Sequence, residues 1–187
     1  MDELEQELNT RLQAALGRPA EDRRAEVLRV FAAALGRAFG LQPDEVAILR
    51  LERDRSMLAF AFPAALAEGG QNAFPLSLNS LAGRVVQSGA ALHENEMRQI
   101  PHLAFYERVR GHERDPLPIQ KIMAAPVKNG TGGVEGVVEV SRRGRAPAEA
   151  GADFTAGDRG RLEALTGLAA AAVLQVLPPA GGRGAQA

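Results

Sequence analysis

Cysteine is absent from the 187 residues of the sequence, and so is tryptophan. Without cysteine the chain has no disulfide bond, no thiolate metal site and no thiol-based catalytic mechanism. Tyr106 is the only tyrosine, so the aromatic platforms on which nucleic-acid bases stack are scarce. A membrane-spanning helix needs a run of about 18 apolar residues, and the sequence has none. These absences predict a protein that binds neither nucleic acid nor membrane.

Positive charge is carried almost entirely by arginine, because Lys121 and Lys128 are the only lysines among 22 basic residues. The arginines are interspersed with acidic residues, and the formal net charge is -1. This distribution again predicts no nucleic-acid partner. The first residues, MDELEQELNT, are acidic and polar, whereas a secretory signal is basic and then apolar. We therefore expect a soluble, cytoplasmic protein.

The length is that of one domain, and its first part predicts two helices. Leucine recurs every fourth residue within 3–16, which places a narrow apolar stripe on a charged helix that ends at Gly17. Apolar residues at spacings of three and four predict a second helix over 21–39. We treat 1–20 as an N-terminal helical arm and 21–177 as the domain. The leucines of the arm are Leu4, Leu8, Leu12 and Leu16.

Near residue 45 the side-chain pattern changes to a period of two, which predicts strands. Residues 45–62 read as a hairpin, with Phe60 and Phe62 on the same face of its second strand. Residues 73–78 predict a third strand, which Pro75 confines to an edge of the sheet because proline cannot donate a ladder hydrogen bond.

A short helix at 81–88 follows, capped by Asn79 or Ser80, and after it a brief strand at 90–93. The segment 94–118 is long, polar and irregular. Unstructured connections of this length within a domain are usually lids or disordered, and we interpret this one as a lid.

The second half of the chain predicts a hairpin and a final helix. Two apolar strands flank KNGTGG, in which the Asn129-Gly130 pair is a strong hairpin signal. Thr155 begins the final helix, and the tail 178–187 is predicted to be disordered. The order of elements predicts an α+β fold, with an antiparallel sheet of five or six strands and the terminal helices on one face.

Three stretches together resemble a GAF domain, the small-molecule sensory module related to PAS domains. They read SLAGRVVQSGAALHENE, IMAAPVKNGTGGVEGVVEVSRR and FTAGDRGRLEALTGLAAAAV, and the resemblance spans 21–177. It implies that short helices and loops form a ligand cavity on the sheet face opposite the terminal helices. Two GAF chemistries depend on cysteine, namely thioether attachment of bilins and catalysis by methionine sulfoxide reductases, and the resemblance implies neither here.

Cyclic-nucleotide-binding GAF domains share a motif of Asn-Lys, a spacer, Phe, three residues and Asp-Glu. Phe154 and Asp158 match this motif and Arg142 keeps the positive charge, whereas Ser141 and Arg159 depart from it. Partial matches are weak evidence. We therefore favour a structural ion pair between Arg142 and Asp158 over nucleotide binding.

The resemblance suggests a set of ligand contacts drawn from the strands, the short helix and the lid. Each member has an alternative: the apolar ones can be ordinary core, and the lid residues can be half-buried or solvated. The histidines His93, His102 and His112 match no compact metal motif, and we identify no cofactor. The predicted ligand contacts are Phe60, Phe62, Leu76, Arg84, His102, Tyr106, Arg108 and Met123.

These observations predict a non-enzymatic sensor that binds a small molecule and signals in trans to a partner protein. The alternative is a ligand-free GAF domain used for dimerisation and protein docking. An enzyme is the least favoured hypothesis, because no catalytic arrangement is visible. We expect a homodimer through the helices at the chain's ends, because the arm's leucine stripe and a second apolar strip on the last helix leave more apolar surface than one sheet covers. The alternative is a monomer in which the first helix folds back on its own chain and covers the second strip.

Overall fold

The computed structural model describes residues 2–52, 54–68, 72–76, 80–97 and 117–177. Within these residues the helices and strands follow one another in the order that the sequence predicts, and 3-10 turns are present at Pro43–Glu45 and Pro147–Ala150. The helices are α1 (Glu3–Leu16), α2 (Ala20–Phe39), α3 (Ala64–Ala67), α4 (Leu81–Ser88) and α5 (Ala156–Val176). The strands are β1 (Val46–Leu51), β2 (Met57–Phe62), β3 (Ala73–Pro75), β4 (Leu92–Glu94), β5 (Ile119–Lys128) and β6 (Val134–Arg143).

The strands form one antiparallel sheet in the order β3-β2-β1-β6-β5-β4. The predicted antiparallel sheet of five or six strands is therefore confirmed, with six strands. β3 lies at one edge, as Pro75 predicts, and β4 lies at the other. The two long strands β5 and β6 pair with each other, and most of their residues are buried.

Local signals place the helix ends where the sequence predicts them. Gly40 ends α2 and Gly89 ends α4, each in the left-handed conformation that glycine adopts without steric cost. Thr155 caps α5 through a capping box, in which its hydroxyl accepts from the backbone of Asp158 and the Asp158 carboxylate accepts from Thr155.

The turn between β5 and β6 forms by different chemistry from the predicted one. The hairpin is present, but Gly130 does not adopt a positive φ; Gly132 does, at 84°. The side chain of Asn129 closes the turn, because its Oδ1 accepts from the backbone of Thr131 and Gly133. An Asx turn therefore replaces the expected Asn-Gly turn.

Helices α1, α2 and α5 form a layer on one face of the sheet. α5 packs on β5, α2 packs on β1, and α1 packs against both helices. Leu8 and Leu12 of α1 are buried at 0% and 1% exposure in the same core as Phe31 and Val173. The leucine stripe of the segment 1–20 is thus covered by the chain's own helices.

The second apolar strip of α5 is also covered in part, because Leu168 and Leu174 pack against the same core. The dimer through α1 and α5 was predicted because the sequence pattern leaves apolar surface exposed on these helices. In the structure that exposed apolar surface is smaller than the sequence suggested. The dimer itself stays a prediction, without that reason to support it.

A second core lies on the opposite face of the sheet, beneath α4. It gathers the alternate side chains of the strands, including Leu49, Phe60 and Val137, together with Leu81 and Val85 of α4. Across the described residues, no helix is long and apolar enough to span a membrane.

Candidate functional site

The α4 face of the sheet contains a buried acidic residue at its centre. Glu139 lies on β6, opposite Ala47 of β1 and Ala124 of β5. The two alanines leave space for its longer side chain, which points toward α4 and is 2% exposed. The sequence analysis did not predict a role for Glu139. The available signal was one charged side chain within the apolar stretch VVEVS.

Glu139 binds the beginning of α4. The first N–H groups of a helix have no partner within it. Ser80 satisfies one of them, because its Oγ accepts from the backbone of Gly83 at 3.0 Å. Glu139 satisfies another, because its carboxyl group accepts from the backbone of Ala82. The sheet and the short helix are thus joined by a polar contact inside an apolar core.

Burial changes the protonation of Glu139. Removal from water disfavours the charged form and raises the pKa of the carboxyl group to about 8, although the Ala82 hydrogen bond lowers it in part. At neutral pH the group is therefore mostly a neutral acid. Its Oε2 has no hydrogen-bond partner among the residues that the structure describes, which is rare for a buried polar atom.

Glu139 lines a small cavity between the sheet and the 3-10 turn before β1. The cavity volume is about 10 Å³, room for about one water molecule. Polar groups surround one side of it: the Ser141 hydroxyl donates to the Glu45 carbonyl at 3.3 Å, and the Glu45 carboxylate accepts from the Arg143 backbone at 3.0 Å. The remaining lining is mostly apolar and includes Ala47, Leu66 and Ile122.

The predicted ligand contacts do not share one face. Phe60 belongs to the core beneath α4, and Leu76 packs against that core. Met123 is buried in the opposite core, and Phe62 packs against that one. Arg84 lies on the exposed side of α4. A single cavity therefore cannot include both Phe60 and Met123, since the sheet separates them.

A bulge in β2 explains the position of Phe62. Leu49 pairs with Phe60, but the preceding residue Ile48 pairs with Phe62, so Ala61 is an extra residue. Because strand side chains alternate between faces, one extra residue turns Phe62 to the helix side. The expectation that Phe60 and Phe62 share a face is therefore wrong.

The predicted lid contacts His102, Tyr106 and Arg108 lie outside the described residues, as does most of the segment 94–118. Their roles stay predictions. Among the described residues, no group of three or more His, Asp or Glu side chains is arranged to hold a metal ion.

The residues that partly match the cyclic-nucleotide motif are held in structural contacts. Arg142 lies over the Phe154 ring, with its guanidinium carbon 4.8 Å from the ring centroid. The same side chain donates to the carbonyls of Ala152 and Phe39. Asp158 instead bonds Thr155, which is the main reason that its pKa is lowered, with a smaller effect from Arg142. Within the described residues the predicted Arg142–Asp158 ion pair is thus replaced by other contacts of the same two side chains.

Comparison with known proteins identifies the fold. No family model matches the sequence, and a search of curated proteins finds no significant match. The structure is similar to that of a methyl-accepting chemotaxis protein (residues 122 to 287), with a TM-score of 0.64 and 17% identity over 90% of this chain and 96% of the other.

Two further solved structures have the same architecture. One is the GAF domain of an Acinetobacter phosphoenolpyruvate-protein phosphotransferase, with a TM-score of 0.61 and 14% identity over 94% of this chain and 96% of that one. The other is the free methionine-R-sulfoxide reductase of Neisseria meningitidis in complex with its substrate, with a TM-score of 0.59 and 17% identity over 95% of both chains. The chain therefore has a GAF-like fold. At these identities the likeness establishes the fold and leaves activity to be argued from the site.

Proposed function

We propose that this GAF-like domain is a non-enzymatic sensory or regulatory module. It binds a small molecule on the α4 face, in contact with Glu139, and signals in trans to a partner protein. The observation that carries the proposal is that Glu139 lines a cavity and that its buried Oε2 has no hydrogen-bond partner among the described residues. Because the chain has no cysteine, thiol catalysis has no part in this function.

The energetic cost of Glu139 supports a binding role. An acid buried in an apolar core without a counter-charge destabilises the fold when it ionises, whereas an apolar residue of similar size does not. The carboxyl group accepts from Ala82 of α4, and its Oε2 has no hydrogen-bond partner among the described residues. Strongly shifted acids in a cleft are frequent at functional sites. A ligand that satisfies Oε2 would remove part of this cost.

The contact with Ala82 supplies a route for the signal. Any ligand group that bonds the Glu139 carboxyl changes its charge distribution and hence its hold on the first turn of α4. The cavity admits only a group about the size of a water molecule. A larger ligand must therefore place a small polar end beside Glu139 and displace the neighbouring wall, which couples binding to a change of shape.

Thermal denaturation of the intact chain against a panel of small metabolites tests the proposal. A ligand that binds only the folded state raises the melting temperature, and above its Kd the stabilisation grows with the logarithm of the free ligand concentration. We expect at least one compound to stabilise the protein, and Glu139→Gln to reduce that stabilisation. Glu163→Gln, on the exposed side of α5, is the matched control and should respond like the unmodified protein. Stabilisation that is the same in the Glu139 variant would place the ligand elsewhere.

The small size of the cavity favours a second candidate function. A volume of about 10 Å³ has room for only about one water molecule, which suits a ligand-free GAF domain used for dimerisation and docking of a partner. A panel without a stabilising compound, together with self-association in solution, would favour this second function.

A further inference from the structure

Two adjoining hollows run along the outer side of α2, with volumes of about 410 and 460 Å³. The first lies between the N-terminal half of α2 and the α3 region, and the second lies between its C-terminal half and the turn before β1. Arg29 and Phe62 line both hollows, so they form one continuous groove. We call it the α2 groove.

The α2 groove has an apolar floor, and several of the residues that α2 contributes to its wall are small. Phe62, turned to this side by the bulge in β2, is only half-buried within it. Alanine is exposed at positions 25 and 33 of α2, with Ala32 and Gly36 beside them. Small side chains let a second helix approach closely, since the distance between packed helices depends on the residues at the contact.

Charged residues of α2 are placed so that the groove complements itself. Glu21 lies at one end and Arg37 at the other, each eight residues from Arg29, or about 12 Å along the helix. Ala25 and Ala33 lie four residues on either side of Arg29. When two such helices pack antiparallel with their Arg29 residues at the crossing point, Glu21 of one helix lies beside Arg37 of the other. Ala25 of one then lies beside Ala33 of the other.

We propose that a second copy of this chain docks in the α2 groove, with the two α2 helices antiparallel across a two-fold axis at Arg29. Glu21 of each copy then faces Arg37 of the other, and the half-buried Phe62 of each copy becomes covered. A two-fold contact of this kind uses the same patch on both subunits. The inference does not depend on a ligand, and it moves the expected dimer contact from α1 and α5 to α2.

The arginine on the axis does not oppose this contact. Glu26 holds Arg29 in a two-point ion pair, with distances of 2.7 and 2.9 Å. This pairing lowers the pKa of Glu26 and raises that of Arg29, so each unit is neutral at the axis. Arg37 contacts Glu7 through Nη1 at 2.9 Å. A guanidinium has five donors, so Arg37 can bond a second carboxylate.

Light scattering and sedimentation of the intact chain test whether the dimer exists. At about 50 μM we expect a mass close to twice the 19.8 kDa of one chain. Glu21→Arg and Arg37→Glu each place like charges together and should weaken the dissociation constant at least tenfold. The double variant exchanges the two charges and should restore the dimer. Glu163→Arg makes the same charge change outside the groove and is the matched control.

Crosslinking locates the contact. Because the chain has no cysteine, a single introduced cysteine is the only site for a short bismaleimide. Arg29→Cys should crosslink to itself, Ala25→Cys should crosslink to Ala33→Cys, and Glu163→Cys should not crosslink. A monomer at 100 μM would overturn the proposal and leave the groove for a different protein. A dimer that the charge variants do not weaken, or that crosslinks only through Glu163→Cys, would also overturn it.

Discussion

Glu139 on β6 accepts a hydrogen bond from the backbone of Ala82, and this contact joins the middle of the sheet to the first turn of α4. It is made by an acid whose pKa is raised from 4.5 to about 8 by burial. The folded state therefore holds the Glu139 proton more tightly than the unfolded chain does. Below pH 4.5 the Glu139 carboxyl group is protonated in both the folded and the unfolded chain, so its raised pKa does not lower the free energy of unfolding. As the pH rises toward 8, the unfolded chain releases its proton first and stability falls.

The first prediction follows from this sign. The free energy of unfolding should decrease from pH 5 to pH 9 by about 4 kcal/mol from Glu139 alone. Glu139→Gln keeps an oxygen for Ala82 and cannot ionise, so this part of the pH dependence should disappear. Urea denaturation at several pH values measures it. Glu163→Gln should follow the unmodified protein, and a Glu139→Gln curve as steep as the original would contradict the role of burial.

A second prediction concerns Arg142, which contacts the Phe154 ring and two backbone carbonyls. Arg142→Met keeps an elongated side chain against the ring but loses the cation–π contact and both hydrogen bonds. We expect a loss of about 2 to 3 kcal/mol in the free energy of unfolding. Arg18→Met, at an exposed position, should change it by less than about 0.5 kcal/mol. Equal effects of the two variants would show that the Arg142 contacts contribute nothing.

The third prediction separates a core role of α1 from a role in assembly alone. Leu8 is fully buried against α2 and α5, whereas Leu4 is only partly buried. Leu8→Ala should destabilise the chain by about 2 to 5 kcal/mol even at sub-micromolar concentration, where a dimer has dissociated. Leu4→Ala should cost clearly less. If Leu8→Ala were neutral in dilute solution, α1 would not be part of the core of a single chain.

Cyclic nucleotides provide the fourth prediction. Arg142 is committed to Phe154 and to backbone carbonyls, and Asp158 is committed to the cap of α5. We therefore expect cyclic AMP and cyclic GMP to bind no more tightly than about 100 μM, or roughly -5.5 kcal/mol. Calorimetry measures this directly. Low-micromolar binding would mean that these residues leave their structural contacts when the nucleotide binds.

The sequence predicted most of the fold because its signals are local. The spacing of apolar residues in α2 and α5, the caps at Gly40, Gly89 and Thr155, and the edge position of Pro75 each depend on a few neighbouring residues. Such features survive in the folded chain because tertiary contacts reinforce them. An antiparallel sheet of five or six strands followed from these elements and from the short turns between them, whereas the pairing of β1 with β6 comes from the structure.

The candidate site was less predictable because it depends on contacts between distant residues. The bulge at Ala61 has no glycine or proline to mark it, yet it moves Phe62 across the sheet. Glu139 acquires its role only when Ala47, Ala124 and Ala82 surround it. Likewise, the leucines of α1 could equally have faced another chain, and only the packing of α2 and α5 decides otherwise.

The two edge strands of the sheet limit how copies of this chain can associate. The described edge strands, β3 and β4, are three residues long, and Pro75 in β3 offers no N–H group to a neighbour. Short edges with proline give little backbone for another strand to pair with, and this protects β proteins from uncontrolled aggregation. If two copies associate in the α2 groove, as proposed, the contact is made by side chains on helices, where shape and charge can reject the wrong partner.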